Sequence, residues 1–310
     1  MHFTNEVPSA TMLPLRGPIN DMTIQALEAD AIRTAVITGA SSGLGQATAT
    51  ALARQGWRVI VVVRKHTRGE AARDEIRAAA GVGARVDLVP CDLSSLAQVR
   101  RAARAITTLT DRVHVLVNNA GGLADGYHLT EDGFESTFAA NHLGHFLLTQ
   151  LLMPLLERAA PARIVNVSSV AHSFVKDMRW DDLQMQRGFI VLRAYGQAKL
   201  ANILHVRELA RRLPPQRVTA NAAHPGAVHS RFGTHGSGWM RAIDRVTRHF
   251  MLSPERGADT IVWLATDPAL AGRSGGYYAQ RRLLQPTAAA RSDENAQRLW
   301  KVSEQLAGSA

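Results

Sequence analysis

The hydrophobic pattern alternates, from about residue 33 onward, between short apolar, β-branched runs and longer stretches with helical spacing. The apolar runs are TAVITG, WRVIVVVR, RVDLVPCDL, VHVLVNNAG, ARIVNVSS and RVTANAAHPG. Nearly continuous apolar runs of this length are typical of strands buried on both faces of a parallel sheet. The stretches GLGQATATALARQG, GEAARDEIRAAAG and SLAQVRRAARAITTL lie between them and have the spacing of helices. The pattern therefore predicts strands and helices in regular alternation.

Two longer helices are predicted over residues 141–156 and 194–213, where two prolines end the second helix. Alternation at this spacing implies parallel strands joined by right-handed crossovers. We predict an α/β fold: a single Rossmann-type, doubly wound parallel sheet with helices on both faces and a small lid. Residues 1–32, which are polar and contain three prolines, are predicted to be an N-terminal extension. Residues 33–310 are predicted to form one domain.

Composition narrows the class of protein. With 310 residues, 46% of them hydrophobic, the chain can bury a full core, which excludes global disorder. No run approaches the roughly 18 apolar residues of a membrane span, and the N-terminus lacks the basic and apolar regions of a secretion signal. A cytoplasmic protein is therefore expected. The single cysteine, Cys91, excludes an internal disulfide, and the 12 histidines lack metal-ligand spacing, so no metal is predicted.

The net charge of +10 raises the question of a nucleic-acid partner. Only four of the 36 basic residues are lysine, at Lys65, Lys176, Lys199 and Lys301. So strong an arginine bias is more easily interpreted as genome composition than as function. Because no recognised nucleic-acid-binding motif accompanies the charge, no nucleic-acid partner is predicted.

A glycine-rich turn follows the first predicted strand and precedes the first predicted helix. Glycines in this position let the backbone approach a pyrophosphate, whose charge is stabilised by the amides at the helix N-terminus. An ordinary strand-to-helix turn is the alternative, but the placement favours a dinucleotide site. The candidate cofactor-binding residues here are Gly39, Ser41, Ser42, Gly43, Leu44 and Gly45.

The end of the second predicted strand indicates which dinucleotide is bound. An NAD enzyme places an acid there, about twenty residues after the glycines, to hold the ribose 2′-hydroxyl. This chain has Arg64 and Lys65 instead. Arg64 could be one of many surface arginines, but no carboxylate is present, and a guanidinium suits the 2′-phosphate of NADP. NADP(H) is therefore the predicted cofactor.

Two further strand ends are predicted to face the same cleft, because ligands of open α/β sheets bind at the carboxyl ends of the strands. Asp92 and Leu93 follow the third strand, where the carboxylate could accept a hydrogen bond from the adenine amino group. Asn119, Ala120 and Gly121 follow the fourth strand.

Tyr195 and Lys199 are four residues apart in a predicted helix and therefore share one face. A phenol has a pKa of about 10, and a nearby ammonium is expected to lower that pKa so that the phenol can exchange a proton with a substrate oxygen. The spacing alone is weak evidence, since such pairs arise by chance in many helices.

Together these motifs resemble the short-chain dehydrogenases/reductases. TGASSGLG, NNAG, an asparagine-bearing helix, a strand ending in two serines and YGQAK occur in that family's order, from about Arg33 to the C-terminus. The segments FAANHLGHFLLTQLLMPLL, RIVNVSSVAHS, NAAHPGAV and NAQRLWKVSEQLAG are similar to the retinol dehydrogenase-like branch, which is shared with WW-domain oxidoreductases and, more distantly, protochlorophyllide reductases.

The resemblance implies catalytic roles for four residues. Tyr195 would be the general acid/base, and Lys199 would tune it and bind the ribose. Ser169 would donate a hydrogen bond to the substrate carbonyl oxygen, with Ser168 as the alternative. Asn141 would hold a water that links Lys199 to solvent. The resemblance also implies that the nicotinamide is contacted by Pro225, Gly226, Val228 and Ser230.

The expected reaction is hydride transfer between the nicotinamide of NADP(H) and a hydrophobic ketone or aldehyde, or the corresponding alcohol. A double-bond reductase of the protochlorophyllide reductase type and a non-catalytic NADP-binding protein are the alternatives. Two segments rich in aromatic residues and methionine, 170–193 and 229–253, are predicted to form a lid over a bulky apolar substrate. The helices that carry Asn141 and Tyr195 could also form a homodimer interface.

Overall fold

The computed structural model describes residues 32–226 and 252–308. The described part of residues 33–310 belongs to one compact unit. The predicted N-terminal extension, apart from Ile32, lies outside the described residues. So do Val228, Ser230 and the predicted lid segment 229–253 up to residue 251.

One sheet of eight strands organises the described residues. The strands lie in the order β3-β2-β1-β4-β5-β6-β7-β8. Neighbouring strands are parallel from β3 to β7, and β8 pairs antiparallel with β7 at the edge. The strands are β1 (Thr34–Thr38), β2 (Arg58–Val63), β3 (Val86–Pro90), β4 (Val115–Asn118), β5 (Ala162–Val167), β6 (Val218–Ala223), β7 (Tyr277–Ala279) and β8 (Arg282–Leu284).

Helices cover both faces of this sheet. They are α1 (Gly43–Arg54), α2 (His66–Ala80), α3 (Leu96–Leu109), α4 (Gly144–Arg158), α5 (Val191–Arg212), α6 (Pro254–Thr266) and α7 (Asp293–Ala307). The core on one face includes side chains of α1, α2 and α6, and the core on the other includes side chains of α3, α4, α5 and α7. The prediction of a doubly wound Rossmann-type sheet is confirmed.

Strands β1 to β7 are largely apolar because each contributes side chains to both cores. In β2, Ile60 packs into the core beneath α3 and α4, whereas Val61 packs into the core beneath α1 and α2. In β4, Leu116 packs into the same core as Ile60, and Val117 packs into the same core as Val61. Successive side chains of a strand point to opposite faces, so a strand covered on both sides is apolar along most of its length.

The direction of the chain reverses between β1 and β4, and this reversal places the cleft. From β1 the chain proceeds outward through β2 to β3, then crosses back to pair β4 with the other side of β1. A crevice opens at such a switch point beyond the carboxyl ends of the two strands. The loops that follow β1 and β4 therefore meet at the site predicted to bind the cofactor.

The structure contains elements that the sequence patterns did not predict. Helices α6 and α7 and strands β7 and β8 all follow the loop after β6. Both strands have only three residues, which is too few for a periodicity to be recognised. The starts of α6 and α7 carry ordinary sequence signals, because the side chains of Ser253 and Ser292 cap them by accepting hydrogen bonds from Arg256 N and Asn295 N.

The C-terminal helix α7 packs against α5 and α4. Its Trp300 is 6% exposed, with ring centroids 5.1 Å from Phe146 of α4 and 5.9 Å from His205 of α5. The guanidinium of Arg212 lies 4.2 Å from the Trp300 ring centroid. Helices α4 and α5 are those offered by the sequence for a homodimer, and α7 of the same chain covers part of their surface.

No helix in the described ranges is both long enough and apolar enough to cross a membrane.

Replacing Trp300 with alanine tests the contribution of α7 to the core. We expect Trp300→Ala to lower the free energy of unfolding by about 3–5 kcal/mol, as for other large aromatic truncations in cores. Urea unfolding followed by circular dichroism measures the change. Val82→Ala is the control, because Val82 is fully exposed, and it should change stability by less than about 0.5 kcal/mol. Equal stability of the two variants would show that α7 is not part of the core.

Candidate active site

The glycine-rich turn lies between β1 and α1, as predicted. Gly39 has φ +69°, and a Cβ atom there would lie 2.7 Å from the Cα of Ala120, so no larger residue fits without displacing the loop after β4. Helix α1 begins at Gly43, and neither a side-chain cap from Ser42 nor an acidic residue in the first turn covers its N-terminal amides. Uncapped amides at a helix start favour an anion such as a pyrophosphate.

The ends of β2 and β3 provide the polar groups predicted for the adenosine half of the cofactor. Arg64 and Lys65 follow β2, are exposed, and form no ion pair with any described residue. Asp92 follows β3, where its Oδ1 accepts hydrogen bonds from Ser94 N at 3.0 Å and Ser94 Oγ at 2.7 Å. Leu93 is buried beside it. The two cationic side chains are thus free to bind an anionic group.

Thr38, the last residue of β1, joins the two loops that meet at the switch point. Its Oγ1 accepts hydrogen bonds from the backbone N–H groups of Asn119 and Ala120, both at 2.9 Å. The side-chain Nδ2 of Asn119 donates in return to Thr38 O at 2.8 Å. These bonds fix the loop after β4 against the end of β1, next to the glycine-rich turn.

Asn141 lies in a π-helical turn, Ala139–Leu143, that leads directly into α4. The sequence predicted an uninterrupted helix here, and π-turns of this kind often mark functional positions. Asn141 Nδ2 donates to Thr137 O at 2.8 Å and Gly122 O at 3.1 Å, and its Oδ1 accepts from Gly122 N at 3.0 Å. The side chain predicted to hold a water therefore clamps the backbone of the loop after β4.

Ser168 and Ser169 follow β5 and have different surroundings. Ser168 is 1% exposed, and its Oγ donates to Lys199 O at 2.8 Å. Ser169 Oγ accepts from Ala171 N at 3.1 Å and is hydrogen-bonded to the side chain of Tyr195. Of the two serines that the sequence left as alternatives, Ser169 is the one that contacts Tyr195.

Tyr195 and Lys199 lie one turn apart on α5, as their spacing predicted. Lys199 Nζ donates to Val167 O at 3.1 Å and lies 5.4 Å from the centroid of the Tyr195 ring. Lys199 is 3% exposed, and burial lowers the pKa of its ammonium to about 8. Burial raises the pKa of Tyr195, while the hydrogen bond from Ser169 lowers it by a smaller amount.

The net shift of the Tyr195 pKa is therefore upward, opposite in direction to the lowering expected from Lys199. The ammonium donates to a backbone carbonyl and faces the phenol ring, and the loss of solvation dominates the phenol's pKa. The result is a neutral phenol hydrogen-bonded to a serine hydroxyl, which is a state that can donate a proton.

The loop after β6 brings Pro225 and Gly226 to the same edge of the sheet. Gly226 has φ +84° and lies next to Leu252. Each candidate site residue in the described ranges is therefore at, or just beyond, the carboxyl ends of β1 to β6, or on the helices that flank them.

Comparison with known proteins identifies the group to which this arrangement belongs. Residues 33–239 match the short chain dehydrogenase family. The chain is a short-chain dehydrogenase. Proteins of this family are oxidoreductases that bind a nicotinamide cofactor.

Curated relatives of this short-chain dehydrogenase include retinol dehydrogenases. The chain is 42% identical to retinol dehydrogenase 12 of Mus musculus over 276 residues, which cover 89% of this chain and 86% of the relative. It is 41% identical to human retinol dehydrogenase 14 over 291 residues, with the same coverage. It is 42% identical to human dehydrogenase/reductase SDR family member 13, covering 89% of this chain and 73% of that protein.

Solved structures of the family have the same fold. An uncharacterised protein from Mycobacterium paratuberculosis superposes with a TM-score of 0.71 at 35% identity, covering 89% of this chain and 93% of that one. A complex of RhlG from Pseudomonas aeruginosa with NADP superposes with a TM-score of 0.63 at 29% identity, covering 80% and 94%. The family predicted from the sequence motifs is confirmed.

Two residues of the site were missed or underrated by sequence reasoning. Thr38 and His145 are not among the candidate site residues that the sequence predicts. His145 is buried, at 1% exposure, and contacts both Asn141 and Thr38. The four-residue spacing of Asn141 and His145 was the signal for this contact.

Two adjacent glycines allow a matched test of the cofactor cleft. A Cβ on Gly121 would overlap Asn141 Oδ1 and lie 3.2 Å from Lys199 Nζ, whereas a Cβ on Gly122 would meet no atom within 4 Å. We expect Gly121→Ala to weaken NADPH binding by about tenfold, or about 1.4 kcal/mol. We expect Gly122→Ala to change binding by less than about twofold. Fluorescence titration of NADPH measures both, and equal affinities would contradict the placement of the cofactor beside Gly121.

Proposed function

We propose that the protein is an NADP(H)-dependent oxidoreductase that interconverts a hydrophobic ketone or aldehyde and the corresponding alcohol. The observation that carries this proposal is the hydrogen bond between Ser169 and Tyr195, with Lys199 one turn further along α5. Two hydroxyl groups at hydrogen-bonding distance from each other, beside a cofactor cleft, provide two donors for one carbonyl oxygen.

Each side chain of the site has a separate role in the reaction. The bound nicotinamide supplies or accepts the hydride. In the direction of reduction, Ser169 donates a hydrogen bond to the carbonyl oxygen, and Tyr195 donates both a hydrogen bond and then its proton. Lys199, whose buried ammonium has a pKa of about 8, remains largely protonated at neutral pH and stabilises the phenolate that is left.

The preference for NADP over NAD rests on the end of β2. Arg64 and Lys65 are exposed and form no ion pair with a described residue, so both can bind a 2′-phosphate without breaking a contact. No carboxylate stands at the end of β2 to bind a ribose 2′-hydroxyl. The similar RhlG structure is itself an NADP complex.

The surroundings of Ser169 and Tyr195 support an apolar substrate. Val170 and Phe174, immediately after Ser169, are 53% and 56% exposed. Ile190 and Leu192, at the start of the helix that carries Tyr195, are 50% and 53% exposed. Exposed apolar groups concentrated beside a cleft are typical of a binding surface for a hydrophobic ligand. The names of the retinol dehydrogenases among the relatives are consistent with a substrate of this kind.

Several residues of the predicted lid segment, 170–193, pack against the rest of the domain. Met178 and Met185 are 4% and 0% exposed, and Trp180 packs against the guanidinium of Arg298 at 4.6 Å from the ring centroid. Phe174 is left at the surface, 56% exposed. The segment is thus anchored by its methionines, and its exposed residues are available to substrate.

The central test combines a substrate panel with Tyr195→Phe. We expect NADPH to be consumed more efficiently than NADH with at least one apolar aldehyde or ketone, giving an alcohol as product. Tyr195→Phe should lower kcat by about 10²–10⁴-fold, as for loss of a general acid, while NADPH affinity changes by less than about threefold. Full turnover by this variant would reject the mechanism. A product with a reduced carbon–carbon double bond would favour the alternative reductase.

Substitution of each of the two neighbouring serines distinguishes a residue that contacts substrate from one with a structural role. We expect Ser169→Ala to lower kcat by about 10²–10³-fold, as for removal of one oxyanion donor. Ser168→Ala removes the bond to Lys199 O and should cost about 1 kcal/mol of stability while kcat stays within a few fold. Steady-state kinetics and thermal unfolding of both variants check this. The reverse order of kcat losses would assign the substrate contact to Ser168.

A further inference from the structure

His145 links two parts of the site that are far apart in the sequence. It lies in the first turn of α4 and is 1% exposed. Its Nδ1 is 3.1 Å from Asn141 O, and its Nε2 is 2.8 Å from Thr38 Oγ1. One imidazole therefore bridges the π-turn that carries Asn141 and the end of β1, 107 residues earlier.

The direction of each hydrogen bond in this bridge is fixed. A carbonyl oxygen can only accept, so Nδ1 of His145 carries the hydrogen and donates to Asn141 O. Nε2 is then unprotonated and accepts from the hydroxyl of Thr38. The two lone pairs of that hydroxyl are already used, because they accept the N–H groups of Asn119 and Ala120. Every donor and acceptor of the bridge is satisfied in one arrangement only.

The surroundings keep the imidazole neutral, as this arrangement requires. The pKa of His145 is lowered to about 4, because burial outweighs the opposing bond to Asn141 O and the charge of Lys199 acts in the same direction as burial. The neighbouring His142 has a pKa lowered to about 3, mainly by burial. A proton on Nε2 would replace the acceptor for Thr38 with a second donor.

We propose that His145 is a positioning residue for the reaction, which holds Asn141 in register with the cofactor loop after β4. This inference rests on the proposed function, because it concerns the same site. Without the imidazole, Asn141 O loses its ring partner, and the clamp of Asn141 on Gly122, beside Lys199 Nζ, is set by the π-turn alone. Thr38 keeps the two amide bonds and can turn its hydroxyl to Val117 O, now 3.4 Å away. Removal of the imidazole is therefore expected to misalign Asn141 and the loop after β4 more than to weaken cofactor binding.

His142 provides a matched control on the same helical segment. It is as buried as His145, but its Nε2 is 2.9 Å from Ser303 Oγ of α7, on the side away from the cofactor loop. Replacing either histidine with phenylalanine removes a buried hydrogen bond and adds a similar volume. A structural role alone would give both variants similar losses of stability and of activity.

The kinetic test compares these variants on the carbonyl substrate that the panel identifies. We expect His145→Phe to lower kcat by about 10–100-fold, since small misplacements cost such factors, with NADPH affinity changed less than about threefold. His142→Phe should keep kcat within about threefold. His145→Asn, whose amide nitrogen can replace Nδ1 as donor to Asn141 O, should recover part of the loss.

A second measurement does not need substrate. Hydrogen exchange of peptides covering residues 117–123 and 137–144 should rise in His145→Phe and stay unchanged in His142→Phe. Long-range proton–nitrogen spectra should show His145 as the Nδ1–H tautomer with a pKa near 4. The opposite tautomer, or equal exchange and equal kcat in the two phenylalanine variants, would overturn the inference.

The outcomes also separate this inference from the proposed function. If Tyr195→Phe is inactive and His145→Phe is fully active, only the role of His145 fails. If Tyr195→Phe is fully active, the proposed mechanism fails, and the exchange data and the tautomer still decide whether His145 holds the loop.

Discussion

Hydrogen bonding at the carboxyl ends of the parallel strands is the constraint on which the site depends. Where a strand ends, its last backbone groups lose the partners that the sheet provided, and buried groups of this kind must find others. Thr38 supplies an acceptor for the two amides after β4. The carbonyl of Val167 at the end of β5 is satisfied by Lys199 Nζ and by Asn202 Nδ2. The residues that hydrogen-bond the backbone at the strand ends are thus either proposed catalytic residues or their neighbours.

The same burial gives Tyr195 and Lys199 complementary protonation properties. It raises the pKa of the phenol and lowers that of the ammonium, so two values that are similar in water move apart. Reduction of a carbonyl needs the phenol in its protonated form. Burial therefore favours the proton-donating form of Tyr195, whereas the charge of Lys199 alone would favour the phenolate.

The fold could be predicted from the sequence as far as its strands were long enough to show a pattern. The six strands from β1 to β6 are apolar on both faces, and the glycine-rich turn and the Tyr195–Lys199 spacing are local features. Strands β7 and β8 have three residues each and are stabilised by pairing with distant parts of the chain, which no local pattern records. The π-turn at Asn141 and the choice between Ser168 and Ser169 also depended on tertiary contacts. Arg64 could be proposed from the sequence, because the lack of an acid after the second strand is a local property. The bridge from His145 to Thr38 could not, because it joins residues 107 positions apart.

The C-terminal helix has a consequence for how the protein is made. Arg100 of α3 donates to Ala307 O, across 207 residues, and Trp300 covers Phe146 and His205. The residues of α7 are synthesised after the strands from β1 to β8 and after the catalytic candidates. The parts of α4 and α5 that α7 covers therefore lack this cover until α7 has been made. The core is thus completed by a segment that is synthesised later than the site.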